Sequence, residues 1–528
     1  MSVSRETMVP APAAPVDLAP VVVGHAPLTI ADIVAVARHG APVALTEEAV
    51  RAVEEMRVRL LAGLGTDAPP VYGLTTGVGD LYSVSVTPEH VSRAQLKILK
   101  SHACGVGAPY PVEVMRAMIL LIVRAMAQGR SGVSIGLVDT LVAMLNRGVT
   151  PWSPGRGSVG YLIGTAHIGL VVAGLGQAYH GGALLSGAEA MRRAGLPVRD
   201  LGPREGHALV SGTYEVTAMA ALAVHDARAL TLTADIAAAM SLEALRGNDR
   251  AFDPQVQQVR PHPGQTATAT NLRTLLDGSE IVARYRHHRL QDPLSLRCAP
   301  QVHGSARDAL DYVERTVFVE ANSVTDNPFF SVSPEDDTVT AHTGGNGHGA
   351  PVAMALDVLT IAVTHLLNIS ERRTDRLTNS HVSELPAFLA APGGEDSGFM
   401  IPQYVTASLA AEARALAQPA SVHSIPTSAM QEDHVSMGVP AGWQARQAVE
   451  YAQQALGIEV LAAAQGLEYH GGLRPGTGTG AAYRAVRERV PRLAEDRELY
   501  PDLAAAAELV ADGALVAAVE AAVGPLAR

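Results

Sequence analysis

Residues 214–245 read YEVTAMAALAVHDARALTLTADIAAAMSLEAL. Ala, Leu and Glu recur through the stretch, residues that lose little side-chain entropy in a helix, and Ala is packed among Leu and Val with little charge. A helix of that length and composition cannot stand alone in water. It belongs in a bundle whose outer faces are also covered. The same pattern returns over residues 301–323, 351–374, 402–416 and 442–466, and in shorter form over 46–63, 111–128 and 135–147. The fold class is therefore mainly α, a bundle of long helices.

Between these blocks lie the glycines and the unusual side chains, over residues 72–79, 101–107, 155–160, 291–297, 322–328 and 342–349. Gly-rich loops held by rigid helices are where chemistry tends to sit. A linear partition follows: a disordered leader over 1–26, rich in Ala, Pro and Val without a period; a loop-rich N-terminal domain over 27–215; the long-helix bundle over 216–470; and C-terminal helices over 471–528. The tract 474–480, in which Gly alternates with Thr, reads as a flexible connection. No internal repeat and no charge block is found.

The chain has 528 residues, 48% of them apolar and 4% aromatic, with 52 acidic against 40 basic side chains and a net charge of −12. Without a cluster of cations, a dedicated nucleic-acid surface is excluded, since phosphate binding needs clustered Lys and Arg. Two cysteines, Cys104 and Cys298, make no disulfide framework. The first residues lack the charged start and apolar run of a signal peptide, and no stretch reaches about 18 uninterrupted apolar residues. The expectation is a cytoplasmic protein with a small-molecule substrate and no membrane or nucleic-acid partner.

Several common motifs fail. The segment Gly155-Arg-Gly-Ser-Val-Gly160 lacks the Lys of a phosphate loop, and no Gly-x-Ser-x-Gly elbow or dinucleotide fingerprint occurs. None of the 19 histidines falls in a zinc spacing, and the pair His287-His288 sits in a basic stretch, so no metal is expected.

Three segments carry more. Val71-Tyr72-Gly73-Leu74-Thr75-Thr76-Gly77 places a phenol between glycines, where the backbone can approach a ligand closely. Ser101-His102-Ala103-Cys104-Gly105 offers an imidazole at a glycine turn, and Gln291-Asp292-Pro293-Leu294-Ser295-Leu296-Arg297 supplies an arginine after a Pro-containing turn, suited to clamping a carboxylate. Each also has a bland reading: a packed tyrosine, a satisfied structural histidine, an arginine in an ordinary ion pair.

In this order, together with Gly157-Ser-Val-Gly160, Arg297-Cys-Ala-Pro-Gln301, Asn322-Ser-Val-Thr-Asp-Asn-Pro328, Pro419-Ala-Ser-Val and Pro426-Thr-Ser-Ala-Met-Gln-Glu-Asp-His-Val-Ser-Met437, the chain resembles the aromatic amino acid lyase family, its histidine ammonia-lyase branch above all. The resemblance runs from about Leu28 to near the C-terminus. It implies a helical homotetramer with active sites shared between subunits and no dissociable cofactor. It also implies an Ala-Ser-Gly triplet cyclised into a methylidene-imidazolone (MIO) electrophile. Carried over to this sequence, it makes Tyr72 the base, Arg297 the carboxylate clamp, and His102 and Glu412 the side-chain selectors, with Asn327 also in the substrate site. His102 and Glu412 favour a polar substrate head, because an apolar ring would leave them unpaired at a cost of about 1–3 kcal/mol each. The bland alternative for Glu412 is an ion pair with Arg414 or Arg372.

The chain departs from that pattern where the triplet belongs. Gly160 runs directly into Tyr161-Leu162-Ile163-Gly164, and Tyr161 matches the family's following Asp. The family's asparagine is Ser211, its second tyrosine Leu294, and its Asn-Phe-His phenylalanine Gly347. Loss of the electrophile would release all these positions together. The expectation is then an MIO-less enzyme of specialised metabolism, needing no cofactor. Tyr72 would move protons on an activated small polar acid or amino-acid derivative by elimination, addition, isomerisation or cyclisation, with Arg297 holding the carboxylate and Ser211 donating. Two alternatives remain: an ordinary MIO-dependent histidine or tyrosine ammonia-lyase or aminomutase whose chromophore the written sequence omits, and an inactive binding or regulatory homologue.

Overall fold

The computed structural model describes residues 18–63, 69–335, 337–390 and 394–528. Its long helices fall where Ala and Leu are packed together: Tyr214–Ala244, Ala299–Ala321, Ala350–Thr378, Met400–Leu416 and Gly438–Leu467. Strands are few and short. The fold is mainly α, as expected. The chain divides into two compact units, each built from three separated segments.

The first unit comprises Met1–Leu222, Glu314–Leu356 and Pro419–Trp443. At its centre is the helix Val112–Met126, buried on every face from Val114 to Met126, which is what a helix apolar all round must be in a globular protein. Two arginines go into the core with it. Arg116 donates to the carbonyls of Val36 (2.8 Å) and Leu145 (3.1 Å), near the ends of the helices Ile30–His39 and Ile135–Asn146. Arg124 donates to Gly24 O at 2.7 Å and to Asn322 Oδ1 at 3.1 Å. Each cation is thus satisfied by carbonyl oxygens, including those that a helix C-terminus leaves free.

Around this core run small sheets. The hairpin Phe329–Val332 with Val339–His342 sends Phe330 into a cluster with Met56, Leu60, Leu74 and Val91. Leu74 anchors the loop that carries Tyr72 to this cluster. Of the leader expected over 1–26, the first 17 residues lie outside the described residues. Its last part differs from the expectation: Val21–Val23 is a strand, paired in parallel with Val43–Leu45 and burying Val21 and Val23. Three residues are too few to show a period, and the pairing partner lies some twenty residues on.

The second unit comprises Ala223–Val313, Asp357–Gln418 and Gln444–Arg528. Its interior holds charge in pairs. Asp235 takes Arg307 at 2.6 Å and His303 at 2.8 Å, and Arg373 pairs with Glu459, all buried. The tract expected as a flexible connection over 474–480 becomes helical at Thr477, the start of Thr477–Arg489. Gly476 and Gly478 permit this by lying against the backbone of Leu275, where a Cβ would come within 2.5 Å and 2.9 Å of main-chain atoms. Among the described residues one helix, Ala350–Thr378, is long and apolar enough to cross a membrane, and 72% of its apolar window is buried within the fold, as in a core helix.

Candidate active site

The first unit contains a cavity of about 1000 Å³, at the upper end of the range for small-molecule sites. Tyr72, His102, Tyr161, Ser211, Asn327 and Gly347 all line it, so six separate stretches of the chain converge there.

Tyr72 is half-buried, and its Oη accepts a hydrogen bond from the Gly79 N–H at 2.8 Å. Burial pushes the phenol above its ordinary value. The Gly79 N–H and the Arg204 cation oppose that rise, and the Glu432 carboxylate adds to it. The ring stands edge-on to His207, with centroids 5.3 Å apart. Beneath lies a fully buried ion pair, Arg204 with Asp326. Arg204 also donates to Pro328 O at 2.8 Å and to His207 Nδ1 at 2.6 Å. His207 is therefore a neutral acceptor, and burial, with Arg204 and His102 beside it, holds it well below its usual value.

Ser211 Oγ accepts the Asn327 N–H at 2.8 Å, and Asn327 Oδ1 accepts the Gly344 N–H at 3.0 Å. The serine thus fixes the segment leading to the Asn327-Pro328 bond, which is cis. His102 Nδ1 lies 2.8 Å from Ile98 O, within its own helix.

The segment after Gly157 is held from below by Glu215, which is fully buried and, among the described residues, pairs with no cation. Its carboxylate accepts from Tyr110 Oη (2.6 Å), Ser158 Oγ (2.9 Å) and the Gly164 N–H (3.2 Å). Burial pushes this carboxyl up, and its donors oppose the shift. Above it, Tyr161 Oη donates to Glu432 Oε2 at 3.1 Å, and burial followed by that carboxylate raises the Tyr161 phenol. Leu162, next in the chain, has φ +84°, a region an L residue with a side chain adopts only at a cost.

Leu294, Arg297 and Glu412 lie in the second unit and are not among the residues lining this cavity. Leu294 is 62% exposed. Arg297 lines a separate hollow of about 310 Å³ with Leu290, Asp292, Cys298 and Gln301, and among the described residues its buried Nε has no hydrogen-bond partner. Glu412 is exposed and accepts from Tyr451 Oη at 2.7 Å, while Arg414 turns to Asn368 and Arg372 to Glu371. Its ion-pair alternative is not realised. Three residues escaped the sequence reading: Glu432, His207 and Arg204. Glu432 lay inside the segment 426–437 already singled out. The Arg204 and His207 spacing of three, facing one side of a helical turn, was a signal for their contact.

Residues 28–488 match the aromatic amino acid lyase family. The chain belongs to that family. Among its relatives, histidine ammonia-lyase of Symbiobacterium thermophilum is 50% identical over 94% of this chain and 98% of its own length. In three dimensions the lyase-family chain is similar to histidine ammonia-lyase of Trypanosoma cruzi (TM-score 0.88, 35% identity, 96% of both chains). It is similar also to tyrosine aminomutase of Streptomyces globisporus (TM-score 0.91, 32% identity, 96% of this chain and 100% of that one).

These relatives overturn the expectation of an MIO-less enzyme with a changed reaction, and that of a chain needing no cofactor. Relatives half identical over nearly all of both lengths carry the name of the ordinary histidine ammonia-lyase, which favours the MIO-dependent alternative. One loss was expected to release Ser211, Leu294 and Gly347 together. The geometry separates them: Ser211 has its own work on Asn327, Leu294 lies in the other unit, and a Cβ on Gly347 would meet only Thr325 O, at 3.5 Å. For the group itself, Gly160, Tyr161 and Leu162 do not supply an Ala-Ser-Gly precursor.

Proposed function

We propose that this lyase-family enzyme eliminates ammonia from an amino acid with a polar aromatic side chain, histidine first. Support comes from the 50% identity to a relative named histidine ammonia-lyase, together with a phenol, Tyr72, facing a cavity of substrate size. Tyr72 takes the β-proton, the C–N bonding electrons leave with nitrogen, and an α,β-unsaturated acid and ammonia result. Burial raises the phenol, and the Gly79 N–H and the Arg204 cation work against that rise, toward the phenolate this requires. His102, Asn327 and Gly347 shape the substrate's surroundings, and Ser211 acts by fixing Asn327. Arg297, Leu294 and Glu412 serve a site in the homotetramer that the family resemblance implies, Arg297 by holding the carboxylate. The MIO group supplies an electrophile to the substrate in enzymes of this family.

The test is ammonia release and formation of the unsaturated acid from L-histidine by the purified full chain. Tyr72→Phe is expected to lower kcat by about 10²–10⁴-fold. No ammonia from histidine, tyrosine or phenylalanine overturns the reading. The peptide beginning at Gly157 is weighed from the same preparation. A mass that includes a cyclised Ala-Ser-Gly unit between Gly160 and Tyr161 accords with the reading, and the mass of the sequence as written counts against it.

A further inference from the structure

Arg297 stands at the end of a helix of only four residues, Leu294–Arg297, in which Leu296 is buried. Among the described residues its buried Nε has no hydrogen-bond partner, and no carboxylate pairs with the guanidinium. A long side chain without partners of its own takes its place from the backbone that carries it. A helix this short ends in carbonyls that no amide of its own reaches. One of them, Ser295 O, accepts from Arg373 Nη1 at 3.4 Å.

Arg373 comes from the long helix Ala350–Thr378 and is fully buried. Its Nε and Nη2 form a fork on Glu459, with Nη2 at 3.0 Å from Oε2, and Ser241 Oγ donates to the same carboxylate at 2.7 Å. Nη1 also faces His303 Nε2 at 3.4 Å, which makes that nitrogen an acceptor, so His303 Nδ1 donates to Asp235, at 2.8 Å. Asp235 is itself fixed by Arg307 at 2.6 Å and Asn271 at 2.9 Å. Every nitrogen of the Arg373 guanidinium therefore has a partner, and a planar fork satisfied in this way is not free to turn. A buried ion pair gives little net stability over apolar side chains of the same volume, so what this one supplies is direction.

We infer that Arg373 is a positioning residue for Arg297: anchored on Glu459, it holds Ser295 O and so sets the pitch of the short helix that aims Arg297 at the substrate's carboxylate. The inference deepens the proposed function, on which it rests for the role of Arg297. With the tie gone the short helix tilts, and a bidentate contact weakens steeply when its donors leave the line of the acceptor.

Two variants of the full chain test it. Arg373→Met/Glu459→Met removes the tie without orphaning a charge, and Arg373→Lys keeps a cation against Glu459 but loses the fork. The first measurement is calorimetric binding of imidazolepropionate, which carries the carboxylate and has no amine to lose. Each variant is expected to weaken it about ten-fold. Added to Arg297→Met, Arg373→Lys should cost less than about two-fold, because it acts through that guanidinium. In turnover of L-histidine, KM should rise about ten-fold with kcat held within about three-fold, whereas a merely structural role would lower the folded fraction, and with it kcat, at unchanged KM. Unchanged affinity in both variants, an equal loss with and without Arg297, an Arg297→Met variant that binds as wild type, or a fall in kcat alone would each overturn the inference. If no ammonia forms while the binding pattern holds, the proposed function falls and the role of Arg373 stands.

Discussion

The guanidinium of Arg204 donates to His207 Nδ1 at 2.6 Å while its other face is paired with Asp326, so one buried cation holds both the ring behind Tyr72 and the segment entering the Asn327-Pro328 bond. The interactions are all in the first unit, and all three side chains are buried. The site is therefore tied together by a buried ion pair and by the hydrogen bonds that Arg204 donates.

Arg204→Met removes that cation and leaves Asp326 buried alone. Breaking a buried pair from one side costs about 3–5 kcal/mol, much of it the penalty of the orphaned charge. The measurement is urea denaturation of wild type, Arg204→Met and Arg204→Met/Asp326→Asn. The double variant should recover at least about 1 kcal/mol of the loss, since it removes the orphan. A double variant as unstable as the single would show that the contacts of Arg204 to Pro328 O and His207, and not the Asp326 charge, carry the stability.

His207 sets a pH dependence. Its folded value lies well below the ordinary one of about 6.5, through burial and then through Arg204 and His102. The unfolded chain therefore binds the extra proton first, and stability from this group is full above about pH 6.5 and lost as pH falls below it. Against His207→Gln, which does not titrate, the stability difference should shift in the variant's favour as pH falls from about 7.5 to 5.5. A constant difference across that window would mean that His207 takes up its proton in the fold as easily as in the unfolded chain.

Most of this arrangement could be read from the sequence as elements and very little of it as contacts. The long helices follow from Ala and Leu density, which is local, and their observed bounds stay within a few residues of the expected ones at both ends. Tyr72 and His102 stand out because each sits at a glycine-rich loop, whereas Ser211 and Asn327 come only through the family resemblance. Glu412 was carried over as a selector from a helix outside the matching stretches, while Glu432, inside segment 426–437, is the one that lines the cavity. The strand Val21–Val23 and the helical start at Thr477 depend on partners, Val43–Leu45 and Leu275, that no local period reveals. The networks under the site, Arg204 with His207 and Glu215 with Tyr110, join residues as far as 105 positions apart.

Gly73 marks the closest approach in the site. It has φ +65°, and a Cβ there would lie 2.0 Å from His207 Nδ1. Since His207 is held by Arg204, it cannot step aside. Gly73→Ala is expected to cost about 1–2 kcal/mol for the left-handed backbone and about 1–3 kcal/mol more for the overpacking. It should also lower kcat, because the same loop carries Tyr72. Thermal denaturation and steady-state kinetics check both, and an Ala variant with unchanged melting would mean that His207 has room the structure does not show.

Glu215 offers the sharpest separation between charge and hydrogen bonding. Its carboxyl is pushed above the ordinary value by burial, so ionising it in the fold is costly, and the wild-type chain loses stability from this group as pH rises from about 4.5 toward the raised value. Glu215→Gln removes the ionisation and keeps an oxygen for Tyr110 Oη and the Gly164 N–H and an amide that can donate to Ser158 Oγ. It should match or exceed wild type in urea denaturation at neutral pH, with its relative stability growing as pH rises above about 4.5. Glu215→Ala instead leaves the Tyr110 and Ser158 hydroxyls without their acceptor in a buried place, at about 1–3 kcal/mol for each group left unpaired. It should also release the segment that carries Tyr161. If Gln were as damaging as Ala, the negative charge itself, held at the start of the helix Ile163–Val172, would be what the segment requires.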